Sequence, residues 1–174
     1  MKNIKKTAAT NLEFFEIYCG IIRDLLRRED RDNPAIKYVL RVVVREAANC
    51  TSDLPCYDNK LGSKMTSVMA FEKIMNDDLS GLIGDHAVPV SVFNELLLNI
   101  EDINTDSIKK IIADHALRVV ITEEEDKQLG DSKLKKKMPS DWNGNILARY
   151  DRVGIKLTDM SYKIALNEAK RSIQ

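Results

Sequence analysis

At 174 residues, with 44% apolar and 31% charged side chains, the chain is long enough to bury a core. Its formal net charge of zero gives no global field that would draw it to nucleic acid or to an anionic membrane. Seven glycines and four prolines are too few turn-makers for a many-stranded β protein, so composition points to a mainly α fold. The expectation is a compact helical domain of roughly six to eight helices over residues 1–174, a single domain with at most a small β element.

Residues 11–29 form the clearest helical pattern. Leu12, Phe15, Cys19, Ile22 and Leu26 repeat at helical spacing, and Phe14, Tyr18, Ile21 and Leu25 make a second stripe beside them. So wide an apolar arc predicts a helix packed on more than one side, with Cys19 behaving as a small hydrophobe. Asn33-Pro34 restarts the chain as N-cap and first helical residue, and Ile36, Val39, Leu40, Val43 and Ala47 carry a second helix to about residue 48. The short charged link between them predicts an antiparallel hairpin. Residues 49–63 read as an irregular loop.

A third helix is expected from Ser63 or Lys64 to about Asp78, burying Met65, Val68, Phe71 and Met75, with Gly81 and Gly84 bracketing a connection. Pro89 opens a fourth, with Val92, Phe93, Leu96, Leu97 and Ile100 on one face. Thr105 or Asp106 caps a fifth, whose buried face includes Ile108, Ile112 and His115. The branched run 117–121 is the best strand candidate. Thr122 and Glu125 spell a capping box for a short helix ending near Gly130. A helix through Ile146, Leu147 and Tyr150 ends at Gly154, and Thr158 caps the last one, to about Arg171.

Charge is uneven along this path. Residues 101–126 hold eight acids against three bases, net −5, and residues 133–156 hold seven bases against two acids, net +5. Lys133, Lys135, Lys136 and Lys137 stand close in sequence to Trp142, Arg149, Tyr150 and Arg152. Cations for phosphates and rings for stacking are the ingredients of a nucleic-acid or partner surface. A solvated face, or pairing with the acidic stretch, explains the same residues without a ligand.

Two other constellations carry chemistry. Asp85-His86-Ala87-Val88-Pro89 resembles the opening of the His-Asn-His nuclease motif, in which an acid precedes a His and a Pro follows three residues later. The resemblance covers about five residues and implies Asp85 as ligand of a divalent metal and His86 as general base on water. In that family a loop Asn and a second ligand follow. Here the nearest asparagines, Asn94 and Asn99, fall on the helix that Pro89 opens. The same residues also suit a plain helix start, with Asp85 as cap. Cys50, Cys56, His86 and His115 offer zinc-type ligands, but not the paired spacing of structural zinc sites.

No phosphate-binding glycine loop and no Gly-x-Ser-x-Gly elbow occurs. No apolar run approaches the ~18 residues of a membrane span. Three cysteines without a secretory leader predict free thiols, a reducing compartment and a cytoplasmic location. The functional expectation is a small cytosolic protein acting through another protein, of the inhibitor, immunity or regulatory type, and needing no cofactor. A self-contained domain with a loop-rich middle is, by association, typical of mobile-element, phage-related or immunity proteins. The alternative is a nucleic-acid-binding protein or metal-dependent nuclease using Asp85, His86 and the Lys133–Lys137 segment, with a divalent metal as cofactor.

Overall fold

A computed structural model describes residues 8–51 and 62–172, with side chains from Asn11 onward. Among these residues the elements run α1 (Ala8–Leu26), α2 (Pro34–Cys50), β1 (Met65–Ser67), α3 (Val68–Met75), β2 (Leu82–His86), α4 (Val90–Leu98), α5 (Thr105–His115), β3 (Arg118–Thr122), α6 (Glu123–Asp131), α7 (Ala148–Val153), β4 (Leu157–Thr158) and α8 (Tyr162–Ser172). With 57% helix the chain is mainly α, as its composition predicts. Most of the expected loop at 49–63, Cys56 included, lies outside the described residues.

The contacts divide the chain into two compact units interleaved in sequence, residues 1–57 with 90–116, and 58–89 with 117–174. The first unit is all helical. Asn33 caps α2 through an acceptor at 2.9 Å from the Ala35 N–H, with Pro34 in the first turn. Asn104, one residue before the expected cap, serves α5 by accepting from the Ser107 N–H at 2.8 Å. Cys19, Ile22 and Leu26 of α1, Leu40 and Val44 of α2, Phe93 and Leu97 of α4, and Ile108 and Ile112 of α5 are all buried. His115 continues that face: its Nδ1 lies 2.7 Å from the Ile111 carbonyl and its ring meets Phe93 edge-on. Burial and the neighbouring Glu16 push the Cys19 thiol up to about 12, so it stays protonated and serves as an apolar side chain.

The second unit is built on a four-stranded sheet in the order β2-β3-β1-β4. β1 runs parallel to β3, and the other two pairings are antiparallel. All five residues of β3 are buried, and their alternation makes two cores. On one face Val120 joins Ala70 and Ile74 of α3, Leu82, and Tyr162, Ala165 and Ala169 of α8. On the other, Val119 and Ile121 join Leu129, Leu134, Tyr150 and Ile155. Each buried Val or Ile of the strand contributes about 1.5–3 kcal/mol of apolar burial, which is why a five-residue run can anchor a unit.

Three strands depart from the sequence reading. Met65–Ser67 is a strand rather than the first turn of α3, whose cap is Ser67, accepting from the Ala70 N–H at 3.0 Å. The expected connection at Gly81–Gly84 holds most of β2, and Thr158 sits in β4 rather than capping α8. These strands are two to five residues long, and β2 contains Gly84 and Asp85, both poor strand formers. Pairing with β3 makes strands of β1 and β2, and pairing with β1 makes one of β4, each across more than thirty residues of sequence.

The capping box at Thr122 and Glu125 forms as expected, and does more. Glu125 is 4% exposed, and its Oε2 accepts from the Thr122 N–H at 2.9 Å and from the Ser67 hydroxyl at 2.6 Å. One buried carboxylate therefore ties the N-termini of α6 and α3 together. Gly154 closes α7 at φ 76°, as predicted. α6 ends at Asp131, beside Gly130 as expected, and the left-handed residue beyond it is Lys133, φ 59°.

Candidate functional site

Asp85 and His86 are consecutive in β2, opposite Val119 and Arg118 of β3, so their side chains leave opposite faces of the sheet. Asp85 does not cap α4. It faces α7, whose Arg149 is fully buried. The Arg149 Nε donates to the Ala87 carbonyl at 2.9 Å and Nη1 to the Leu134 carbonyl at 3.0 Å. Its Nη2 donates to Asp85 Oδ2 at 2.5 Å and to the His86 carbonyl. The Tyr150 hydroxyl donates to the same Oδ2 at 2.8 Å.

A guanidinium has a rigid fork of donors, and here the fork joins α7, the end of β2 and the segment after α6. Burial pushes the Asp85 carboxyl above its ordinary range, against the opposing pull of Arg149 and Tyr150. Burial, and then Asp85, push the Tyr150 phenol well up, so the hydroxyl remains a donor. The trio is a buried, charge-assisted clamp. Among the described residues no three or more His, Cys, Asp or Glu side chains are grouped to hold a metal ion. Cys50 is buried at the end of α2 and His115 lies on α5, both in the helical unit, whereas His86 belongs to the sheet unit.

The basic segment separates into distinct environments. Lys133 follows α6 in a two-bond C-cap: its N–H bonds the Gly130 carbonyl at 2.9 Å, and the Leu134 N–H bonds the Leu129 carbonyl at 2.8 Å. Lys135 is paired with Asp126. Arg149 is spent inside, and Lys136 and Lys137 are exposed. Arg152 reaches both oxygens of Asp141 at 2.6 Å.

Lys133, Lys137 and Arg152 line one cleft of about 510 Å³, over Leu134, Met138 and Pro139 and with Ser132 and Ser140 at its edge. A second cleft of about 370 Å³ shares Pro139 and Arg152 as its wall and is lined by Trp142, Asn143 and Asn145. The Trp142 Nε1 donates to the Asn145 carbonyl at 2.8 Å, which fixes the ring.

The helical unit presents a third surface. On α1, Ile17 is 55% and Ile21 39% exposed, beside Phe14 and Tyr18, whose rings stack at 6.3 Å. Leu12, expected in the core stripe, is 62% exposed instead. Ile17 escaped the sequence reading; its spacing of three from Phe14 and four to Ile21 was the signal that could have found it. Glu13 and Asp24, also exposed, stand four before and seven after Ile17 on the same side of the helix.

No family model, no curated protein and no solved structure matches this chain. No helix among the described residues is long and apolar enough to cross a membrane.

Proposed function

We propose that this chain is a binding module that acts through contact with another protein, as an inhibitor, immunity or regulatory protein does. The observation that carries this reading is the outer stripe of α1. Large apolar side chains at Phe14, Ile17, Tyr18 and Ile21 follow one helix face that the core of Cys19, Ile22 and Leu26 does not use. A contiguous apolar stripe held in water is costly unless something covers it, and such stripes mark interaction surfaces. Glu13 beside it fits a partner segment that is apolar in the middle and basic at one edge, while Asp24 is held by Arg23.

The clamp at Asp85 supports the same reading. A nuclease role would need the Asp85 carboxylate for a cation, and its Oδ2 is already taken by Arg149 and Tyr150.

The test replaces Ile17 and Ile21 together by Asp in the full chain. The double variant keeps its circular dichroism spectrum and melting temperature, because both sites are solvent-facing, and loses at least tenfold in affinity for the protein that the wild type captures. Equal affinity of the two chains for that protein overturns the proposal.

A further inference from the structure

The geometry points to a site for single-stranded nucleic acid on the sheet unit: Lys133 and Lys137 hold phosphates in one cleft, and Trp142 faces a base in the next. This is separate from the α1 surface and does not depend on it. Of the cations in this segment, Arg149 is consumed by the clamp, Lys135 by Asp126 and Arg152 by Asp141. Neither Lys133 nor Lys137 has a carboxylate at ion-pair distance among the described residues, and both line the 510 Å³ cleft.

Lys133 supplies a second observation. Its backbone is left-handed at the C′ position of the α6 cap, where glycine fits freely and a side chain is strained. The chain carries a lysine there, and that lysine lines the cleft.

The adjoining lobe sets the ligand class. Trp142, Asn143 and Asn145 offer a ring and amides within 370 Å³ that shares the Arg152 wall with the cationic cleft, where Asp141 is held by Arg152 and Asp151 by Asn145. A run of cations leading to an aromatic side chain is how strands are gripped without base pairing. A duplex, whose bases are stacked and paired, cannot place one against Trp142.

The probe is a fluorescein-labelled thymidine oligomer of about 12 nucleotides, a length within reach of one such groove, titrated with the full chain and read by anisotropy. Trp142 is the single tryptophan of the chain, so quenching of its emission reports occupancy of its lobe directly. The expected result is saturable binding with quenching at about 50 mM salt, and about eightfold weaker binding for Lys133→Gly and for Lys137→Gln, the factor that loss of one phosphate contact implies at that salt. Lys133→Gly relieves the left-handed strain, so its melting temperature rises by about 2–4 °C while its affinity falls. Lys135→Ala binds as the wild type does.

Unchanged affinity in Lys133→Gly and Lys137→Gln overturns the site, as does binding without quenching, which would be attraction to a polyanion alone. A phosphoserine peptide that binds more tightly than the oligomer overturns the ligand class.

Discussion

Arg149 and Arg152 sit three residues apart on α7 and lead opposite lives. Arg149 is wholly enclosed, and its donors end on Asp85 and on the carbonyls of Ala87, Leu134 and His86. Arg152 is half in solvent, holds only Asp141, and lines two clefts. The same side chain is therefore scaffold in one case and surface in the other, and what decides it is the depth of the helix face. Buried charge must be fully matched or the unit does not close. Exposed charge is cheap to keep, and a surface pair such as Arg152 with Asp141 adds little to stability.

Breaking the buried side gives the largest effect. Arg149→Ala leaves the Asp85 carboxylate uncompensated and several carbonyls without donors, and is expected to cost about 3–5 kcal/mol, read as a lower urea midpoint. Arg152→Gln should leave that midpoint in place. If the two variants unfold alike, the contrast fails.

Glu125→Ala removes the carboxylate that serves both Thr122 and Ser67 and orphans two buried donors. A loss of about 1–3 kcal/mol in the same assay is expected.

The smallest effect sharpens the electrostatics of the clamp. Burial raises the Asp85 carboxyl in the folded chain, so the folded state binds that proton more tightly than the unfolded one. Stability from this group is complete below the unfolded value of about 3.9 and is lost as pH rises through the higher folded value. The urea midpoint of the wild type relative to Asp85→Asn therefore declines as pH rises through that window. A relative midpoint that climbs instead would mean that Arg149 outweighs the burial of Asp85.

Much of this architecture was legible where a local rule acts alone. Asn33-Pro34, the Thr122–Glu125 box and Gly154 need only their own neighbours, and the branched run that became β3 announces itself by burial on both faces. Other features depend on distant partners. β1, β2 and β4 are strands because β3 supplies their pairing directly or through β1. Asp85 and Arg149 are 64 residues apart, so the Asp-His motif could not reveal that its acid belongs to a clamp. The basic segment showed where cations cluster. Which were buried, paired or available depended on the turn after α6 and the face of α7.

The salt dependence of oligonucleotide affinity tests most directly whether burial has sorted these charges. The two unpaired cations of the cleft, Lys133 and Lys137, predict a slope of log K against log salt of about −1.4, at about 0.7 per contact for a single strand. A slope near −5, as if all seven bases between residues 133 and 156 took part, or one near zero, would contradict it.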